Sequence, residues 1–147
     1  KTGVSTYAKN AEEKKFSGFD VVQCQGNAFD RNYLGYISSV ESVYLRSIFL
    51  QGLLLCKIEN LPKFITTEKH LFLAWESYCE MHGMSKLEMS LYNVYKNQVS
   101  AFVVGVSSLQ DLEQMVLARE SASQKANIPV FEYHEIKDRV IDPRRWN

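Results

Sequence analysis

Residues 44–55 read YLRSIFLQGLLL, and the fold turns on how this stretch is interpreted. Val43, Leu45, Ile48 and Phe49 make the near-unbroken apolar run of a strand covered on both faces, as in a parallel sheet. Arg46, Ser47 and Gln51 interrupt it, and polar groups at the end of such a strand must find partners. In α/β folds the carboxyl ends of strands are where ligands bind, so the segment reads as a strand delivering a functional loop. Gly52 then lets the chain turn tightly or approach a ligand closely. The alternative is an internally satisfied core arginine beside an ordinary loop glycine.

Working outward, two strands precede this one. Gly3-Val4 followed by Ser5, Thr6 and Tyr7 reads as a strand ending in a loop, and Asp20–Gln23 as a second, closed by the turn residues Gly26 and Asn27. Ala11–Lys15 reads as a charged helical turn and Arg31–Ser39 as a brief helix. Beyond Pro62, Leu71, Phe72, Trp75, Tyr78, Cys79 and His82 recur at helical spacing, with Gly83 placed to close that helix. Ser85 and Glu88 form a capping box for the next helix, whose apolar stripe is Leu87, Leu91, Val94 and Tyr95. These two helices are expected to pack back to back. Ala101–Val106 reads as the fourth and most buried strand, and Ser107 or Ser108 caps a helix carrying Leu109, Leu112, Met115 and Val116. Such a strand–glycine–serine–helix junction presents amides that suit a phosphate, although any strand–helix unit needs a cap. The tail, IDPRRWN, reads as a proline-fixed turn with two surface arginines.

Strands alternating with helices imply a parallel sheet with right-handed crossovers. A (β/α)8 barrel takes roughly 250 residues. Four such units in 147 residues therefore suggest half of one, spanning residues 1–147 as a fragment of a larger domain. Seventeen basic residues balance seventeen acidic ones, which argues against nucleic acid or a membrane surface as partner. Neither a membrane-length apolar run nor a signal-peptide pattern is present. Cys24, Cys56 and Cys79 read as free thiols in a reducing, cytoplasmic setting. The opening on Lys1, directly in a strand, suggests a processed or partial chain.

Taken together, the strand ends resemble those of the aldo-keto reductases over nearly the whole chain, as that family's C-terminal half. Gly3-Val4-Ser5 is similar to its fifth strand, and Asp20-Val-Val-Gln23 with Asn27 and Asp30 to its sixth. Arg46-Ser-Ile-Phe-Leu-Gln-Gly52 resembles the seventh, and Val103-Val-Gly-Val-Ser107 with Leu112 the eighth. RSIFLQGLLL together with IDPRRW is most like bacterial members associated with surface polysaccharides and nucleotide sugars.

The resemblance implies a nicotinamide dinucleotide, NAD or NADP, and a small carbonyl substrate. It implies that Ser5 and Gln23 bond the carboxamide, that Arg46 packs on the nicotinamide ring, and that Ser47, Phe49 and Gly52 belong to the loop over the pyrophosphate. Gly105 and Ser107 would receive the adenosine phosphate. Asp111 stands near where a basic pair often meets the 2′-phosphate, which it would repel, tilting any selectivity toward NADH; simple helix-start electrostatics is the alternative reading. Several positions depart from the family. Gln25 and Gly26 replace a proline and an apolar residue, the segment between Asp30 and Tyr44 is several residues short, and Gln114 and Met115 replace Glu and Asn.

The family's proton-donating tyrosine, with its lysine, aspartate and histidine, belongs to the other half of the barrel, so no catalytic residue is assigned here. His70, His82 and His134 lack metal-ligand spacing, and His82 reads as an interior histidine on an apolar face. Cys24 has no base to activate it as a nucleophile. The leading expectation is the cofactor-binding half of an oxidoreductase that reduces an aldehyde or ketone, completed by a missing N-terminal half-barrel. The alternative is a non-catalytic nucleotide-binding or protein-interaction module, or a half-barrel pairing with itself through open sheet edges and a large apolar face.

Overall fold

Strands β1 (Gly3–Thr6), β2 (Val21–Gln25), β3 (Ser42–Arg46) and β4 (Ala101–Phe102) form one sheet, in that order, with each neighbouring pair parallel. The computed structural model describes residues 1–7, 16, 18–97, 99–125, 127–133 and 135–146. The four helices among them are α1 (Lys69–Met81), α2 (Lys86–Tyr95), α3 (Leu109–Gln124) and α4 (Asp138–Ile141). The chain is therefore an α/β protein with an all-parallel sheet, as its strand–helix alternation predicts. The expected turn at Ala11–Lys15, like His134, lies outside the described residues.

Register sorts the strand residues onto two faces, because side chains alternate along a strand. Val4, Val22 and Val43 share one row, and Thr6, Cys24, Leu45 and Phe102 the next; Val22, Cys24, Val43 and Leu45 are buried in the core. The opposite face carries Gly3, Val21 and Ser42, then Ser5, Gln23, Tyr44 and Ala101, then Gln25 and Arg46. Ser5 and Tyr44 on it are exposed and Gln23 is half-buried. This face is mixed, with Ser5, Gln23, Gln25, Ser42 and Arg46 among Val21, Tyr44 and Ala101, so the large apolar sheet face expected from the sequence is not found.

Several element boundaries also differ from expectation. β3 ends at Arg46, because Ser47 turns the chain into left-handed backbone at φ 59°; Ile48 is buried from a turn rather than from a strand. β4 is only two residues long, and Val103 is 50% exposed, so this strand is an edge rather than the most buried one. The segment Asn32–Tyr36 is a 3-10 turn, in which the buried Tyr33 and Tyr36 fill the space a longer helix would cover. Gly26 belongs to that adjustment. A Cβ there would come 2.9 Å from Tyr33 Cε1 and 3.0 Å from Leu45 Cδ2, a clash the packed interior cannot absorb.

The helices behave as their caps predict but pack differently. Gly83 N–H reaches the Glu80 carbonyl at 3.0 Å and Met84 N–H the Cys79 carbonyl at 3.0 Å, closing α1 with a Schellman motif. Ser85 Oγ accepts from Glu88 N–H at 3.1 Å while Glu88 accepts from Ser85 N–H at 2.8 Å, completing the capping box of α2. α2 packs chiefly on α3 and only lightly on α1, so the expected back-to-back pair is replaced by another. Ala118 and Ala122 are the buried positions of α3, small residues that admit close approach to α2. Leu109, Leu112 and Val116 therefore point outward instead of into the core, and Tyr95 of α2 is exposed as well.

The tail is tied across this framework by a buried carboxylate. Glu68 accepts from Lys137 Nζ at 3.1 Å and from Arg139 Nη2, while Val140 and Ile141 enter the core and Trp146 stacks on Phe64 at 5.2 Å. The bond from Arg139, then that from Lys137, holds the Glu68 carboxyl below the usual carboxylate range. A carboxyl held down in the folded state contributes stability that is complete above the ordinary carboxylate range and lost as pH falls through its own lowered value. Glu68→Gln is accordingly expected to lower unfolding free energy by roughly 1–3 kcal/mol at neutral pH. The difference from the parent should shrink as denaturation curves are repeated toward acid pH; a constant difference would show that the charge is not what Glu68 supplies.

Candidate functional site

The carboxyl end of β2 begins the site. Gln25 Nε2 donates to Asp30 at 2.8 Å, and Asn27 Oδ1 accepts from the N–H groups of Phe29 and Asp30 at 2.9 and 3.1 Å, so the turn is closed by its own side chains. Asn27 then reaches out of its turn: its Nδ2 donates to the Ser47 carbonyl at 3.3 Å and couples the β2 loop to the β3 loop.

The β3 loop holds an unusual backbone. Ser47, Leu50, Gln51 and Gly52 all have positive φ, at 59°, 49°, 53° and 87°. Each non-glycine residue there costs about 1–2 kcal/mol. Burial of Ile48, Leu50, Leu53 and Leu54 pins the loop, and Trp75 Nε1 donates to the Leu54 carbonyl at 2.9 Å. Strain held in place in this way concentrates at functional sites. Between the buried anchors, Ser47, Phe49, Gln51, Gly52 and Leu55 turn toward Val103 and Gly105 and line an open cleft of about 420 Å³.

A second cleft of about 180 Å³ shares Phe49, Leu55 and Gly105 with the first and continues along Ser107, Asp111 and Met115. At its far end Ser108 is the N-cap of α3, accepting from Asp111 N–H at 3.0 Å. Asp111 in turn accepts from Ser107 N–H at 3.0 Å. The amide that would meet a phosphate is thus already bonded to a carboxylate at the positive end of the helix.

Of the nine residues singled out in the sequence, Ser47, Phe49, Gly52, Gly105, Ser107 and Asp111 fall along this double cleft. Ser5 and Gln23 meet on the open sheet face, Ser5 Oγ donating to Gln23 Oε1 at 3.1 Å. Arg46 leans across β2 and donates to the Thr6 carbonyl at 3.4 Å, its guanidinium lying over the Tyr7 ring at 4.8 Å. Among the described residues its polar contact is with that backbone carbonyl, and the side chain is half-buried. Two participants were missed. Tyr7 follows directly on β1, and Arg144, read as a surface arginine, stacks on the same ring at 3.7 Å. The only hint in the sequence was the proline at 143, which fixes the direction of the tail.

What the site can do chemically is hold and orient. Burial pushes the Cys24 thiol up to about 12, with Asp30 adding to the effect, so at neutral pH it is a core thiol and not a nucleophile. His82 is half-buried with its ring edge-on to Tyr78 at 4.6 Å. Among the described residues no group of three His, Cys, Asp or Glu is placed to hold a metal ion, and no helix is long and apolar enough to cross a membrane. No protein-family model matches the chain, and no curated protein matches it.

Because Asn27 serves both loops, Asn27→Ala is expected to cost roughly 1–3 kcal/mol in denaturant unfolding. It should also release the β3 loop, seen as faster amide exchange at Leu50 and Gly52. Unchanged exchange there would mean that the buried leucines alone hold the loop.

Proposed function

We propose that this chain is the dinucleotide-binding C-terminal half of an aldo-keto reductase-like (β/α)8 barrel, a cytoplasmic oxidoreductase that reduces an aldehyde or ketone to an alcohol. The observation that carries the reading is convergence. Six of the nine residues chosen from the sequence for one ligand, from the segments after β3 and β4, line two adjoining clefts beyond the carboxyl ends of those strands, and Ser5 pairs with Gln23 on the face of β1 and β2. That end of the sheet is where barrels of this kind bind their ligands. A parallel sheet is normally covered on both sides, so the uncovered face of this one is where the remaining strands of a closed barrel would pack.

The bound dinucleotide would supply a hydride to the carbonyl carbon, a proton reaching the oxygen from an acid on the other half. This chain's residues would position it. Ser5 and Gln23 offer an amide-sized pair of polar groups, and Phe49 with Gly52 and Gly105 a floor for the phosphates. By the resemblance, Asp111 would face an added 2′-phosphate and repel it, so NADH is favoured or the preference is slight.

Titrating NADH fluorescence with the chain tests this directly. Saturable binding is expected, weakened about ten-fold by Phe49→Ala and matched within about ten-fold by NADPH. Absence of binding sinks the reading, and turnover of any carbonyl compound by this chain alone would refute the placement of the proton donor elsewhere. One observation favours pairing of two copies as a second reading: β4 is an edge strand, and Leu109, Leu112 and Val116 are exposed on the helix that follows it. Sedimentation as a dimer would support that arrangement, and a monomer across the accessible concentration range would remove it.

A further inference from the structure

Two guanidinium groups meet on the ring of Tyr7, just past the carboxyl end of β1, and a carboxylate and a third guanidinium adjoin one of them. Arg46 lies over the ring at 4.8 Å and Arg144 at 3.7 Å. Asp142 holds Arg144 through two bonds, 2.8 Å to Nε and 2.7 Å to Nη2, and stands 3.6 Å from Arg145 Nε. Arg46 donates to the Thr6 carbonyl and makes no ion pair among the described residues. Among the described residues the cluster carries the three positive charges of Arg46, Arg144 and Arg145 against the one negative charge of Asp142, in a chain whose seventeen basic and seventeen acidic residues balance.

This gathering is built from several directions. Arg46 arrives on the third strand, and Arg144 on a tail fixed by Glu68, by the buried Val140 and Ile141, and by Trp146 on Phe64. Asp142 also caps the turn that presents both tail arginines, accepting from Arg144 N–H at 3.2 Å. Cations converging on one ring repel each other, and cation–π attraction to the ring opposes that repulsion. Among the described residues one carboxylate is shared by the two tail arginines, and Arg46 has no carboxylate partner. An arginine's planar fork matches a carboxylate or phosphate bidentately. Arg144 and Arg145 are exposed, so a ligand can reach them, and Arg46 is half-buried, where its charge is less screened by salt.

We infer that Arg46 and Arg144 on the ring of Tyr7, with Arg145 beside the Asp142 carboxylate it shares with Arg144, bind an oxyanion group, a carboxylate or phosphate ester, of the molecule acted upon, and that the carbonyl substrate is therefore acidic. The word substrate rests on the reductase reading above; the anion site does not. The clefts assigned to the dinucleotide's phosphates are lined by other residues.

The test is a heteronuclear NMR titration of the chain with D-glucuronate and with inorganic phosphate at constant ionic strength, D-glucose serving as the neutral control. Each titration is then repeated in saturating NADH. Saturable shifts at the Tyr7 amide and the Arg144 Nε–H are expected with both anions and not with glucose. Arg144→Gln and, independently, Arg46→Gln should each weaken glucuronate about ten-fold. Glucuronate should still bind in the presence of NADH. Shifts that fail to saturate, equal shifts with glucose, or affinities unmoved in both folded variants would overturn the site. Displacement of glucuronate by NADH would assign the cluster to the cofactor's own phosphates and overturn the substrate claim. Failure of NADH to bind would strike the reductase reading alone, while saturable glucuronate shifts would continue to support the anion site.

Discussion

Everything at the functional end of this molecule depends on the abrupt stop of β3 at Arg46. Left-handed backbone at Ser47 throws the chain out of the sheet, and the Asn27 amide holds the Ser47 carbonyl from the neighbouring loop. Further left-handed residues at Leu50, Gln51 and Gly52 follow, each tolerable only because Ile48, Leu50, Leu53 and Leu54 are buried beneath them. Strained backbone outside and leucines inside are two sides of one arrangement. The first shapes the cleft, and the second provides the burial energy that keeps the strained shape populated.

A second constraint is the treatment of buried polar groups. Gln25, Asn27 and Asp30 bond among themselves and to nearby backbone, Asn93 bridges the Met89 carbonyl and Phe131 N–H, and Glu68 is met by Lys137 and Arg139. Leaving any of these unpaired would cost about 1–3 kcal/mol, so each fixes the geometry of two segments at once. The tail is the clearest case. Glu68 below it and Asp142 within it, together with the buried Val140 and Ile141, direct Arg144 to the ring of Tyr7.

Much of the fold was legible along the chain. Val4, Val22, Val43 and Leu45 announced parallel strands by their apolar runs, and Ser85 with Glu88 announced a helix start by chemistry confined to four residues. The candidate site was legible as a set of strand ends. Less legible was which face of α3 is inside. Leu109, Leu112 and Val116 make the more hydrophobic stripe, yet Ala118 and Ala122 are buried, because the closeness of α2 selects for small volume there rather than for hydrophobicity. β4 was over-read for a related reason: Val103 and Val106 have strand propensity, but only β3 offers them a hydrogen-bonding partner, on one side.

By itself, the sequence determined what local chemistry can specify: the order of strands and helices, the caps, the breaking glycines, and the polar residues that end each strand. Only the tertiary structure decided which of these meet. Asn27 reaches Ser47 across 20 positions and Arg46 reaches Thr6 across 40, while Arg144 comes to Tyr7 from the far end of the chain. Such pairings depend on strand register and on where the tail is anchored. Both are set by the summed burial of the whole core, to which no short stretch of residues has access.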